Sequence, residues 1–241
     1  MDAVRQQDIA KLAHQAEALL KQDPNNVAAI RVLAPFYLST NRTEDAASLF
    51  EQLVLLRPHD VEPLQSFGVC MLRLNRILPA VQAFQKAVEL QPNNAGLRFN
   101  LAALLAQIND RTGCIEHLEV GLRIEPGHIG ARRAHVEALV AVGRFEDALV
   151  SSREILKLSP GDDAAQEGVV QALHALRRYE AAEVHVRSAL AANPHNYGVL
   201  VEAGYLRLES GDFTAAKQSF ETAITWIPDA EPLTMDSGCA T

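Results

Sequence analysis

The sequence is poor in the residue types that mark several common functional classes. Only 3 of its 241 residues are cysteines, and Cys70, Cys114 and Cys239 are too few and too scattered for a disulfide framework or a zinc site. Basic residues number 22 against 30 acidic ones, which gives a formal net charge of -8. A general binder of nucleic acid or of anionic membranes carries a basic face. We therefore expect neither as a partner.

Long apolar runs are missing as well. No window holds 18 uninterrupted apolar residues, so the sequence predicts no membrane span. The polar residues 1–8 lack the apolar segment of a secretory signal. We therefore expect a cytoplasmic protein.

The motifs that accompany common catalytic chemistry do not occur. The sequence has no phosphate-binding loop, no dinucleotide-binding glycine pattern, no nucleophile elbow and no zinc-protease or paired-cysteine motif. Its 8 histidines include no pair at the four-residue helical spacing of metal ligands. We therefore predict that the chain is not an enzyme and holds no metal and no cofactor.

Proline, by contrast, recurs with a strict period. Seven prolines follow one another at intervals of 34 residues: Pro24, Pro58, Pro92, Pro126, Pro160, Pro194 and Pro228. Self-similarity at a fixed period indicates an internal repeat. Each proline ends a helix, because it neither donates a backbone hydrogen bond nor continues the helical backbone.

Each repeat contains two helical patterns separated by a tight turn. A small residue stands 12 positions before each of the last six prolines: Ala46, Ala80, Cys114, Ala148, Ala182 and Ala216. An invariably small residue in an apolar stripe predicts a close helix crossing. We expect Cys70 and Cys114, at such small apolar positions, to pack in the core.

Turn and capping residues mark the helix ends. Seventeen residues before the same prolines come Asn41, Asn75, Asn109, Gly143, Arg177 and Gly211. All but Arg177 are types that tolerate the left-handed backbone of a turn closing a first helix. Good N-cap residues stand two positions after five of the prolines and predict the start of the next first helix: Asn26, Asp60, Asn94, Asp162 and Asn196. His128 occupies the same position after Pro126 and is a weak exception.

Four features of each unit resemble the tetratricopeptide repeat. They are the 34-residue period, the column of small residues, the proline at the end, and a pair of an apolar and a small residue in the first helix (Leu33-Ala34, Phe67-Gly68 and Leu101-Ala102). This resemblance implies an all-α fold, a right-handed α-α superhelix of helix-turn-helix repeats. The period gives six full repeats: 27–60, 61–94, 95–128, 129–162, 163–196 and 197–230.

The two ends differ from the repeats between them. Residues 1–26 read as an N-terminal half-repeat with one capping helix over 5–22. Residues 231–241 are expected to be a disordered tail and form no capping helix. Because an array normally needs a polar outer face at its end, we expect Trp226 and Ile227 to be partly exposed. A homo-oligomer could then form through this end.

The fourth repeat departs from the apolar pattern. His135 and Ser152 stand where neighbouring repeats place large apolar residues. We therefore predict that this repeat is the least stable.

By resemblance to the family, first helices line a concave groove and second helices form the convex side. The resulting partner-binding positions are Arg31, Leu38, Gln65, Val69, Leu72, Arg73, Phe99, Asn100, Ala103, Gln107, Arg133, Glu137, Gln171 and Tyr205. Leu38, Val69, Leu72, Phe99, Ala103, Ala106 and Val140 make the groove apolar in its first two-thirds, and acidic residues rim its last third. An exposed apolar strip of this kind marks a binding surface. The expected partner is a protein segment, either a peptide or an amphipathic helix, that is apolar with some basic residues.

Several alternatives stay open. The groove residues could simply pack against neighbouring first helices. A non-catalytic protein-protein interaction scaffold is the leading hypothesis for function. The chain could instead be the substrate-recruiting region of a larger enzyme, such as a glycosyl- or sulfotransferase, or a self-assembling structural protein. The carboxylate clamp used by some family members is not expected, because Val69 and Ala134 occupy positions that require polar or basic groups.

Overall fold

A computed structural model describes residues 2–225, with side chains from residue 9 onward. In this range the chain is all-α, as predicted, with thirteen helices and no strand. The expectations for Trp226, Ile227 and the tail 231–241 fall outside the described residues. The helices are α1 Asp2–Gln22, α2 Val27–Ser39, α3 Thr43–Leu56, α4 Val61–Arg73, α5 Ile77–Leu90, α6 Ala95–Gln107, α7 Arg111–Ile124, α8 Ile129–Ala141, α9 Phe145–Leu158, α10 Asp163–Ala175, α11 Tyr179–Ala192, α12 Tyr197–Glu209 and α13 Phe213–Thr225.

The chain divides into two compact units, Met1–Pro126 and Gly127–Thr241. The N-terminal unit contains α1–α7 and the C-terminal unit contains α8–α13. In both units, even-numbered first helices pack against the odd-numbered second helices that follow them, as helical hairpins. Each second helix within a unit also packs against the first helix of the next repeat.

The turn between the two helices of every repeat has a left-handed residue. All six predicted positions have positive φ: Asn41, Asn75, Asn109, Gly143, Arg177 and Gly211. The prediction is confirmed even at Arg177, whose φ is 56°. The repeat geometry therefore imposes this conformation on a residue type that rarely adopts it.

Side-chain caps begin most of the first helices. Asn26, Asn94, Asp162 and Asn196 each accept a hydrogen bond from the backbone N–H three residues later. The expectation for His128 was wrong, because its Nδ1 accepts from the N–H of Ala131 at 2.9 Å. Asp60 also differs: among residues 2–225 it makes no capping bond and binds Arg31 instead.

The small-residue column lies where the helices cross. All six of its members are at most 2% exposed, which confirms the predicted close approach. Cys70 and Cys114 are buried, and burial raises the pKa of the Cys70 thiol. Both cysteines therefore pack in the core, as expected.

The N-terminal helix α1 packs on α2 through only part of its apolar stripe. Ala13 and Ala16 are buried, whereas Ile9, Leu12 and Leu19 remain 47% to 53% exposed. In the repeat pattern, Leu12 and Leu19 correspond to positions that pack against a first helix of the same repeat.

Candidate functional site: the first-helix face

The first-helix face is the set of side chains that were predicted to line the groove. They lie on α2, α4 and α6 in the N-terminal unit and on α8, α10 and α12 in the C-terminal unit. All fourteen predicted binding residues lie on these helices.

In the N-terminal unit, the middle of the first-helix face is apolar. Val69 is 37% exposed, Leu38 and Leu72 are half-buried, and Ala103 is exposed. Arg73 lies at the end of α4 and donates from Nη1 to the backbone oxygen of Leu38 at 3.1 Å. This bond ties the ends of α2 and α4 together beside the apolar strip.

The start of α2 and α4 is polar instead. Arg31 Nη2 lies 2.7 Å from Asp60 Oδ2. Arg31 and half-buried Gln65 line one cavity of about 410 Å³, together with His59 and Glu62. Arg31 therefore has a structural partner, which limits its availability to a ligand.

Phe99 also has a structural role. Its half-buried ring lies where a Cβ on Gly121 would be, so α6 and α7 approach closely at this point. Asn100 and Gln107, on the same helix, are exposed. Phe99 thus contributes to the hairpin core as well as to the face.

In the C-terminal unit, Arg133 repeats the arrangement of Arg31. Its Nη2 lies 2.5 Å from Oδ2 of Asp162, whose side chain is 1% exposed. Glu137, one turn further along α8, is exposed. Arg133 is thus held at the N-terminus of α10.

Gln171 and Tyr205 both line a cavity of about 580 Å³. The cavity is formed by the end of α8 and by α10 and α12, with further contributions from Phe145 and from the turn into α11. Tyr205 is 51% exposed, and its ring meets that of Phe220 edge to face at 5.3 Å. This contact fixes one aromatic wall of the cavity.

The polar groups of this cavity form one network. His174 Nδ1 lies 3.5 Å from Glu202 Oε2, and His174 Nε2 lies 3.3 Å from Glu209 Oε2. The hydroxyl of Tyr179 donates to the same Glu209 oxygen at 3.1 Å. Arg177 is the only arginine or lysine among the described lining residues.

A further carboxylate lies beside the cavity. Glu167 on α10 is half-buried, and its carboxylate occupies the space where a Cβ on Gly198 would lie. Burial and the nearby Glu202 raise the pKa of Glu167. Burial also raises the pKa of Glu202, and the hydrogen bond from His174 offsets part of this effect. Both carboxylates have thus lost hydration without full compensation from cations.

The sequence did not single out this network. Tyr179 begins a second helix, and nothing in the repeat pattern indicates that it reaches α12, 30 residues further on. His174, Glu202 and Glu209 sit at inward positions of their first helices, yet their mutual contact depends on how α10 and α12 pack. The clustering of acidic residues late in the chain was the only available signal.

Two further classes of site are not found in the part of the chain that the structure describes. No group of three or more His, Cys, Asp or Glu side chains is placed to hold a metal ion. None of the described helices combines the length and apolarity that crossing a bilayer requires.

Three solved structures with a similar fold are distant from this chain in sequence. YrrB, described as a tetratricopeptide repeat protein with an unusual peptide-binding site, superposes with a TM-score of 0.66 at 16% identity over 78% of this chain and 97% of its own. MamA from Desulfovibrio magneticus gives 0.61 at 15% identity, over 69% of this chain and 94% of its own. A tetratricopeptide repeat protein from Parabacteroides merdae gives 0.58 at 13% identity, over 95% and 91%. At these identities the likeness establishes the fold. No curated protein sequence matches the chain significantly.

The sequence also matches three descriptions of the tetratricopeptide repeat. One covers residues 1–61 and 133–197, more than half of the chain, and the others cover 83–115 and 173–235. Tetratricopeptide repeat proteins are typically non-catalytic and bind protein partners, which supports a protein-interaction scaffold in general. The chain belongs to the tetratricopeptide repeat family.

Proposed function

We propose that the first-helix face binds segments of partner proteins. In the N-terminal unit it receives apolar side chains, and in the C-terminal unit it receives a lysine or arginine side chain. The observation that carries this proposal is the cavity between α10 and α12, where Glu202 and Glu209 lie among tyrosine rings.

A basic side chain suits this cavity for two reasons. It compensates carboxylates that are partly desolvated, which is where an added charge interaction is strongest. The tyrosine rings add attraction for a cation that lies over their faces. Arg177 also lines the cavity and reduces its net negative charge but does not cancel it, because Glu202, Glu209 and the neighbouring Glu167 outnumber it.

The apolar strip of the N-terminal unit suits the apolar side chains of a partner segment that binds to this unit. Val69 is exposed, and Leu38 and Leu72 present their side chains beside it. A preformed helical face needs little ordering when it binds, so the entropic cost falls mainly on the partner.

The proposal is tested by pull-down from the native cell with matched variants. Val69→Glu places a charge on the first-helix face, and Val150→Glu makes the same change at a 60% exposed position of the second helix α9. We expect Val69→Glu to lose partners that Val150→Glu retains. Partners retained equally by both folded variants contradict a first-helix binding site in the N-terminal unit.

The basic-residue specificity has its own test. Peptides tiled from captured partners are measured by fluorescence anisotropy against the parent protein and Glu202→Gln. We expect peptides with lysine or arginine to bind Glu202→Gln about tenfold more weakly than the parent, because the variant lacks one desolvated charge interaction. Peptides whose basic residue is replaced by norleucine serve as controls, and their affinity should not depend on Glu202. Equal loss for both peptide sets is the contrary result.

A further inference from the structure

A cavity of about 700 Å³ opens between the second helices α3 and α5 in the N-terminal unit, with α4 as its floor. Leu64, Phe67 and Met71 of α4 and Leu74, the residue after this helix, line its base. Leu55 of α3 also lines it and is 78% exposed. None of the fourteen residues of the first-helix face lines this outer cavity. It is therefore a separate surface.

One residue that lines the outer cavity, Ala47 on α3, is smaller than its counterparts in the other repeats. The next three repeats hold large apolar residues at the equivalent position, Val81, Ile115 and Leu149, and each of these is at most 5% exposed. Ala47 is itself 5% exposed, so its small side chain forms part of the cavity wall and leaves a volume there that a larger side chain at this position would occupy. The last two repeats hold charged residues there, Glu183 and Lys217.

The walls of the outer cavity carry opposite charges. Glu44 and Glu51 project from the α3 side, whereas Arg76 and Lys86 lie on the α5 side. All four side chains are exposed. None of them forms an ion pair with another described residue. The charges are thus available to groups on a partner.

We propose that the outer cavity is a docking site for an amphipathic helix of a partner protein. The helix presents an apolar stripe to the floor of the cavity, basic residues toward α3 and acidic residues toward α5. This site is distinct from the first-helix face and does not depend on the function proposed for that face.

The spacing of the wall charges favours a helical occupant. Glu44 and Glu51 are seven residues apart on one helix, or two turns. Basic residues at positions i and i+7 of a helix running alongside α3 match this interval, on the flank of an apolar stripe at i+3 and i+4. Laying an apolar helix face into such a groove is a recurrent mode of peptide recognition.

The test is a display selection on the full chain. The library consists of 18-residue helical peptides, about 27 Å long, with an apolar stripe and flanks randomised between lysine and glutamate. Enriched peptides are then measured against Ala47→Ile, which introduces the side chain that Ile115 carries at the equivalent position of the third repeat. We expect enriched peptides with one basic and one acidic flank, and an affinity loss of about tenfold or more on Ala47→Ile, because the anchoring side chain is excluded.

Two controls keep the result unambiguous. Ala47→Ile should unfold at the same temperature as the parent or higher, because it fills an existing space. Val69→Glu on the first-helix face should leave the affinity unchanged. If Ala47→Ile fails to fold, the pair Glu44→Lys and Glu51→Lys replaces it and should invert the preferred basic flank.

Three outcomes overturn the proposal. The first is a selection that enriches no peptide. The second is enriched peptides whose affinity is indifferent to Ala47→Ile and to reversal of the α3 charges. The third is a fatty acid that binds the parent and is blocked by Ala47→Ile when no peptide is enriched, which would assign the cavity to a small apolar ligand.

Discussion

Arg133 and Asp162 form an ion pair, 2.5 Å between Nη2 and Oδ2, that also completes the start of a helix. The second carboxylate oxygen of Asp162 accepts the N–H of Ala165 at 3.0 Å. Arg31 and Asp60 pair across the same 29-residue separation, but Asp60 makes no capping bond within the described chain. One residue pattern thus serves two different structural roles.

This difference predicts unequal costs for the same substitution. Asp162→Ala should lower the free energy of unfolding by about 2 kcal/mol, because it removes a buried cap and leaves Arg133 unpaired. Asp60→Ala should cost less than about 1 kcal/mol, since it breaks only an exposed ion pair. Urea denaturation of the two variants measures both values. Equal costs would contradict the assigned roles.

Arg177 is the one non-glycine, non-asparagine residue with positive φ among residues 2–225. Arg177→Gly should raise the free energy of unfolding by about 1 kcal/mol, because glycine adopts this backbone without steric conflict. Asn75→Ala is the matched control and should lower stability at the equivalent turn of another repeat. A destabilised Arg177→Gly variant would show that the arginine side chain outweighs the backbone strain.

Ser152 is fully buried, and its hydroxyl has no hydrogen-bond partner among the described residues. Ser152→Ala should therefore stabilise the protein by about 1 kcal/mol, because it removes an unsatisfied buried group. Ser151→Ala, at the neighbouring buried hydroxyl that contacts His135 at 3.2 Å, should not stabilise.

The predicted weakness of the fourth repeat is tested separately by amide hydrogen exchange. Amides in 129–162 should exchange faster than those in 61–94, because the fourth repeat buries polar groups where the second buries apolar ones. Equal protection would refute this prediction.

His117 introduces a pH dependence. Burial lowers the pKa of His117, and the neighbouring Arg98 lowers it further. The folded state therefore favours the neutral ring. Its contribution to stability is present above the ordinary histidine pKa of 6.5 and is lost as the pH falls through the lower folded-state value.

Thermal unfolding between pH 7 and pH 5 measures this effect. His117→Gln should show a shallower fall in melting temperature than the parent, because glutamine does not titrate. The exposed His59→Gln serves as control and should follow the parent. A parallel fall in all three proteins would assign the pH dependence to other groups.

The repeat period predicted the fold because each structural demand falls on a fixed position. The turn needs a left-handed residue, the crossing needs a small one, and the first helix needs a cap. The roles of Asn75, Ala80 and Asn94 can therefore each be predicted from the residue type at that position. His128 misled the interpretation because imidazole is an uncommon cap, yet its Nδ1 accepts the required bond.

The site was less readable because it depends on contacts between repeats. The pattern placed Gln171 and Tyr205 on first helices, but it could not reveal that Tyr179 bonds to Glu209. It also could not show that Arg31 and Phe99 are engaged in structural contacts. Sequence spacing determines which face a residue occupies, whereas its neighbours across helices depend on packing.

Site-specific photo-crosslinking in the native cell tests the central claim most directly. A benzophenone amino acid is placed at Val69 and Gln171 on first helices, and at Val150 and Val184 on second helices of the C-terminal unit, which are 60% and 58% exposed. We predict crosslinks to partner proteins at the two first-helix positions and none at the other two. Crosslinks confined to Val150 and Val184 would contradict the assignment of the first-helix face as the binding surface.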